Sequence, residues 1–207
     1  NEINGRRQSN LIVKAGGAAL GLVALLYTDH IRGTTTYQTQ AQALGQFLVA
    51  IQMPSGNILS KYDVDREKWS EWQSDYYPGE ALGALGLLQR TYPHAEVEDA
   101  IHKLMIYLAN RWHLENESGG KRIKACDHWS LIALEMCWPH FKDEKLAPLT
   151  SPGKDVWTRD RLLKEAIHYC RDELNFLVKE GEQTGALGTG NLGIAANSTR
   201  LEGIQAV

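Results

Sequence analysis

Apolar residues recur at helical spacing along most of this chain, and the pattern predicts helices of two alternating kinds. One kind is apolar on nearly every side, which indicates a buried helix, and the other carries a single apolar stripe. The buried kind is predicted at residues 11–28, 79–91 and 127–138 and from about Ser198 onward, and the amphipathic kind at residues 36–52, 95–113 and 158–180.

This alternation predicts an all-α fold with two concentric layers of helices. Consecutive helices joined by modest loops pack as antiparallel hairpins. Hairpins that each place one buried and one half-exposed helix side by side build an (α/α) toroid with an inner and an outer ring. We therefore expect residues 1–207 to form one toroid domain. No segment shows a convincing strand alternation, although the loop at residues 53–76 leaves room for short hairpins.

A repeated block supports the same fold. Residues 17–26 and 79–88 align without a gap and share glycines, an alanine and a closing Leu-Leu. A weaker third copy at residues 131–134 places Asp127 where Glu80 stands in the second copy. The chain is therefore expected to contain repeated helical units whose variable position twice holds a carboxylate.

Composition narrows the function classes. Hydrophobic residues make up 43% and charged residues 23% of the chain, values typical of a soluble globular protein. A net charge of −3 without a Lys/Arg cluster gives no reason to expect nucleic acid. The apolar run at residues 15–27 is too short to span a membrane. Cys126, Cys137 and Cys170 do not have zinc-site spacing, and neither a metal nor a cofactor is expected.

The starts of the buried helices are the candidate site. Free N–H groups and the positive end of the helix dipole favour carboxylates and oxyanions there. Glu80, Asp127 and His128 are the candidate catalytic residues, because carboxyl and imidazole groups transfer protons in saccharide chemistry. The candidate substrate-binding residues are aromatic or charged side chains near the same helix starts: Trp72, Tyr76, Tyr77, Trp129, Arg200 and Glu202.

Each acid also has a structural interpretation. Glu80 is placed to cap its own helix, and Asp127 is a favoured N-cap residue. Glu202 has Arg200 two residues away as a possible ion-pair partner. The sequence leaves these interpretations open beside the catalytic one.

Three motifs resemble bacterial proteins of the six-hairpin glycosidase-like superfamily. They are Tyr-Tyr-Pro-Gly-Glu-Ala-Leu-Gly at residues 76–83, Asp-His-Trp-Ser at residues 127–130 and Ser-Thr-Arg-Leu-Glu-Gly at residues 198–203. The resemblance implies an (α/α) toroid and a carbohydrate-active protein, either a hydrolase, a lyase or a sugar epimerase. Its expected ligand is a glycan, including one that contains uronate, with Arg200 suited to a substrate carboxylate.

The chain departs from that family in its helix count. A six-hairpin toroid has twelve helices, whereas about seven are predicted here. An open ring would expose an apolar face, which monomeric proteins avoid. We therefore expect further helices, from missing segments of the chain or from another chain, to complete the ring.

Two other functions remain open. A non-catalytic glycan-binding or scaffolding toroid would keep the aromatic side chains and tolerate loss of the carboxylates. A terpenoid-cyclase-like toroid would need an Asp-rich motif or a metal site, and the sequence shows neither an Asp-Asp-x-x-Asp run nor convincing zinc ligands.

Overall fold

The computed structural model describes residues 2–3, 6–7, 11–117, 127–151, 153–184 and 201–207, and this part of the chain is mostly helical. The helices are α1 (Ala15–Arg32), α2 (Gln38–Ala50), α3 (Tyr77–Thr91), α4 (Ala95–Glu117), α5 (His128–Cys137), α6 (Asp143–Leu146), α7 (Arg159–Thr184) and α8 (residues 201–205). The strands are β1 (Glu2–Ile3), β2 (Arg6–Arg7), β3 (Ile12–Lys14), β4 (Lys61–Asp63) and β5 (Lys68–Trp69).

The long helices pack in two layers. Contacts run from α1 to α3 and from α3 to α5 in one layer, and from α2 to α4 and from α4 to α7 in the other. Hairpin contacts between α1 and α2 and between α3 and α4 join the layers. The predicted predominance of helices is therefore confirmed in the described residues, and the fully buried kind of helix is seen in α3.

Helix α3 is the most deeply buried element. Every residue from Pro78 to Gln89 is buried except Glu80. Small residues make this possible, because Gly79, Gly83 and Gly86 let α5 approach the α3 backbone closely. The sequence prediction of a buried helix at 79–91 is confirmed here, with two more residues at its start.

The predicted start of the first helix, at residue 11, is wrong. Residues 12–14 form β3 instead of helix, and β3 pairs antiparallel with β4, which pairs with β5. The β-branched residues Ile12 and Val13 favour a strand, and the loop at residues 53–76 supplies its partner. That loop thus contains a short hairpin, which its sequence allowed but did not predict.

Helix α1 is also less buried than its composition predicts. Its inner face packs on α2 and α3, with Ala19 and Leu22 fully buried. Its opposite face exposes Leu20, Tyr27 and Ile31, and Ile31 is 80% exposed. No element of the described residues covers this face.

The glycines of α3 provide a matched test of the packing. A Cβ atom at Gly79 would lie 2.6 Å from Ser130 N and 2.8 Å from Trp129 C, which are backbone atoms of the α5 start. A Cβ atom at Gly83 would lie 3.5 Å from Met136 Sδ, an ordinary contact. We expect Gly79→Ala to lower the free energy of unfolding by about 1–3 kcal/mol.

Gly83→Ala is the control in the same buried helix. It gains helix propensity without overlap, so its stability should stay level or rise by about 0.5–1 kcal/mol. Chemical denaturation of both variants checks the difference. Equal effects of the two substitutions would contradict a tight contact between the starts of α3 and α5.

Candidate functional site

The starts of four helices lie together at one end of the molecule. A Cβ atom at Gly16, in the first turn of α1, would overlap Glu80 Oε2 and the Tyr77 ring of α3. Gly79 lies against the α5 start, and a Cβ atom at Gly203 of α8 would lie 2.9 Å from His128 Cα. A glycine therefore mediates each of these contacts, and the expected gathering of helix starts is present for α1, α3, α5 and α8.

Serine side chains fix the start of α3. Ser74 Oγ accepts hydrogen bonds from Tyr76 N and Tyr77 N, each at 3.2 Å. Ser60 Oγ in turn accepts one from Ser74 N at 2.8 Å. Pro78 in the first turn needs no hydrogen-bond acceptor for its nitrogen. The serine hydrogen bonds and Pro78 thus account for the first residues of this helix start, from Tyr76 to Pro78, without Glu80.

Glu80 has the properties of a proton-transfer group. It is half-buried, and its Oε2 atom is buried without a hydrogen-bond partner among the described residues. Burial raises the pKa of its carboxyl above the usual value. A carboxyl in this environment is more readily protonated than an exposed one and remains within reach of solvent.

Aromatic rings lie next to this carboxyl. The centroids of the Tyr77 and Trp72 rings are 6.0 Å apart in an edge-to-face arrangement, and Trp72 is 48% exposed. Burial, followed by the charge of Glu80, raises the pKa of the Tyr77 hydroxyl. Lys61 Nζ lies 3.7 Å from the Trp72 ring centroid. Tyr77, Trp72 and Glu80, which were predicted as site residues, thus lie together. Lys61, which was not predicted, lies beside them.

Asp127 occupies a different environment. It is 2% exposed, and its Oδ1 atom accepts a hydrogen bond from Ser130 N at 3.2 Å as the N-cap of α5. Its Oδ2 atom lies 3.7 Å from Arg111 Nη1. The N-cap interpretation of Asp127 is therefore confirmed.

Among the described residues, the surroundings of Asp127 leave no space for a sugar. Asp127 N donates a hydrogen bond to Tyr169 Oη at 3.1 Å, and Arg111 Nη1 donates one to Asp75 O at 3.0 Å. The cavity beside Asp127, Arg111 and Tyr169 measures about 10 Å³, which holds one water molecule at most. Burial raises the pKa of Asp127 to about 7, against the opposing effects of Arg111 and of the hydrogen bonds from Ser130.

The side chains that follow Asp127 lie beside the start of α3. The His128 and Tyr76 rings are 6.0 Å apart, and the His128 and Trp129 rings are 5.4 Å apart. Tyr76 is 37% exposed. By capping α5, Asp127 therefore positions the imidazole of His128 and the Trp129 ring at the same end of the molecule as Glu80.

The last two predicted residues contribute less. Arg200 lies outside the described residues. Glu202 is exposed on α8, next to the glycine that contacts His128.

Three residues of this region were missed by the sequence analysis. Ser74 had a local signal, because a serine shortly before a proline at a helix start is a common capping arrangement. Arg111 and Lys61 had none, because they reach the site from α4 and from β4. Their positions depend on contacts between segments far apart in sequence.

Two grooves of about 420 and 400 Å³ lie at the other end of α3, and Tyr92 lines both. Neither contains a predicted site residue. The described residues hold no group of three or more His, Cys, Asp or Glu side chains arranged for a metal ion. Within the same part of the chain, none of the helices combines the length and apolar character that a membrane crossing requires.

The chain matches no protein-family model, no curated protein and no solved structure. The similarity to six-hairpin glycosidase-like proteins therefore stays a prediction from the three motifs.

The raised pKa of Asp127 gives a pH-dependent contribution to stability. Between about pH 3.8 and pH 7 the folded protein holds a proton that the unfolded chain releases. The contribution is complete below the lower value and is lost as the pH rises through the higher one. Asp127→Asn keeps an N-cap side chain but removes this titration.

We expect the stability of the Asp127→Asn variant relative to wild type to rise with pH across this window, by up to about 1.4 kcal/mol per pH unit. Urea denaturation at several pH values measures it. Asp99→Asn, which removes an exposed carboxylate on α4, is the control and should show little pH trend. Parallel pH profiles for the two variants would contradict the raised pKa.

Proposed function

We propose that this chain is a carbohydrate-active protein of the (α/α)-toroid type, in which Glu80 exchanges a proton with a bound saccharide. The observation that supports this most is the half-buried Glu80 carboxyl with its unpartnered Oε2 atom, next to the Tyr77 and Trp72 rings. The two-layer packing of helices with adjacent starts is compatible with part of a toroid.

The chemistry of Glu80 suits general acid–base catalysis. A catalytic carboxyl works best when its pKa lies near the working pH, and burial shifts the pKa of Glu80 in that direction. Removal from water also strengthens its interaction with a bound proton donor or acceptor.

The neighbouring rings suit a sugar. Trp72 and Tyr76 are both partly exposed and present apolar faces with polar edges. Such rings pack against the C–H faces of a pyranose and leave its hydroxyl groups to polar partners. Together with Tyr77, which lies beside Glu80, and Trp129, which lies beside His128, they form an aromatic rim at this end of the molecule.

The environment of Asp127 bears on the reaction type. Glycoside hydrolysis ordinarily needs two carboxyl groups that flank the scissile bond. Asp127 is enclosed by Ser130, Arg111 and Tyr169, so we assign it a positioning role. With Glu80 only half-buried and His128 and Tyr76 at the same helix starts, elimination or epimerisation by proton abstraction is favoured over direct hydrolysis.

The same observation favours one alternative. A glycan-binding protein without turnover needs the aromatic rim and has no need of a second accessible carboxylate. In that case Glu80 would act as a hydrogen-bond partner of a sugar hydroxyl. The uncovered face of α1 at Leu20, Tyr27 and Ile31 is compatible with the proposal that further helices, or another chain, complete the ring in either case.

Replacement of Glu80 separates the two functions. We expect Glu80→Gln to lower turnover of a cleaved or epimerised oligosaccharide by about 10²–10⁴-fold, because the amide cannot exchange the proton. Binding, measured by calorimetry on a panel of neutral and uronate oligosaccharides, should change little.

Glu71→Gln is the control, because Glu71 is exposed in the same loop region. It should leave turnover at the wild-type level. Equal turnover of Glu80→Gln and wild type would refute the catalytic role. Binding of a saccharide without turnover by wild type would support the binding protein instead.

A further inference from the structure

Two lysines lie directly opposite each other in the small sheet. Lys14 of β3 pairs with Lys61 of β4 in the antiparallel register. Ala15 N donates to Ser60 O and Val64 N donates to Leu11 O, each at 3.0 Å. Because hydrogen-bonded and non-hydrogen-bonded pairs alternate, Lys14 and Lys61 form a non-hydrogen-bonded pair, in which side chains are closest.

This arrangement is unfavourable for the protein alone. Like charges directly opposite in a sheet destabilise it. Lys14 is also the residue that precedes α1, where the helix dipole disfavours a cation, and the first turn of α1 contains no acidic residue. Two unfavourable electrostatic interactions therefore coincide at one place.

No described carboxylate compensates the pair. Among the described residues, neither lysine forms an ion pair. The nearest acid along β4 is Asp63, which pairs with Arg66 at 3.7 Å and lies opposite Lys68 in the register. Lys68 of the same sheet thus has a carboxylate opposite it in the register, whereas Lys14 and Lys61 have each other.

Side-chain contacts connect Lys61 of this pair to the candidate site. Lys61 Nζ lies over the Trp72 ring, the Trp72 ring meets Tyr77, and Tyr77 lies with Glu80 against Gly16. A row of contacts therefore joins Lys61 to the carboxyl, and Lys14 lies opposite Lys61 in the register. A saccharide bound along this row would meet Glu80 at one end and the lysine pair at the other.

We propose that Lys14 and Lys61 form an anion-binding subsite that takes an oxyanion group of the saccharide, either a carboxylate or a sulfate. An oxyanion there relieves the lysine–lysine repulsion and interacts favourably with the start of α1. This inference depends on the proposed function, since it specifies the substrate class of the same site as an anionic glycan.

The test compares three probes on wild type and on a Lys14→Met/Lys61→Met double variant. The probes are a uronate trisaccharide, its methyl ester and a sulfated neutral trisaccharide, with binding measured by calorimetry at low salt. We expect wild type to bind at least one acidic probe about tenfold or more tightly than the ester, and the double variant to lose that preference. The double variant should unfold at the wild-type temperature or above, because the repulsion is gone.

Lys68→Met is the matched control, since Lys68 lies on the same sheet opposite Asp63. It should keep the preference for the anion. The subsite is refuted if wild type binds both acidic probes no better than the ester, or if the double variant keeps the preference. The relative affinity for uronate and sulfate identifies which oxyanion the subsite takes.

The two proposals fail in different ways. If neutral and acidic saccharides bind equally and turnover depends on Glu80, the anion subsite is wrong and the proposed function stands. If no saccharide binds or reacts, both are wrong.

Discussion

The close contact between helix starts at glycine residues is the constraint on which this structure depends. Gly79 brings the α3 backbone against Trp129 and Ser130, and Gly203 brings α8 against His128. A larger side chain at Gly79 requires a backbone shift, because the two nearest atoms, Ser130 N and Trp129 C, belong to the backbone. The aromatic and ionisable side chains meet at one end of the molecule because these backbones meet there.

The same contact between helix starts also affects the pKa of Glu80 and the surroundings of Asp127. Tight packing removes water from the start of α3, which leaves the Glu80 carboxyl half-buried and raises its pKa. The same packing encloses Asp127, where Arg111 and Ser130 hold the carboxylate. The two acids therefore differ in their surroundings: Glu80, in the first turn of α3, is half-buried, whereas Asp127 caps α5 and is enclosed.

The helices and their burial were predictable from the sequence because both follow from local periodicity. Residues 79–91 are apolar on all sides, and α3 is buried accordingly. The N-cap at Asp127 was also a local signal. Its enclosure was not, because Arg111 comes from α4 and Tyr169 from α7.

The strand at residues 12–14 was missed for the same reason, since its partner β4 lies about fifty residues later in the chain. Lys14 and Lys61 face each other because of that pairing. The helical periodicity of the sequence could not predict this pair. Within the candidate site, Glu80 and Tyr77 could be named from a motif, whereas Lys61 needed the sheet register.

The residue just before the first copy of the repeated block, Gly16, shapes the surroundings of the second copy. The missing side chain at Gly16 is the space that Glu80 Oε2 and the Tyr77 ring occupy. One helix carries the carboxyl and the other leaves room for it. The two segments are therefore not interchangeable modules, because the first has Ala18 where the second has Glu80, and the second has Pro78 where the first has Gly16.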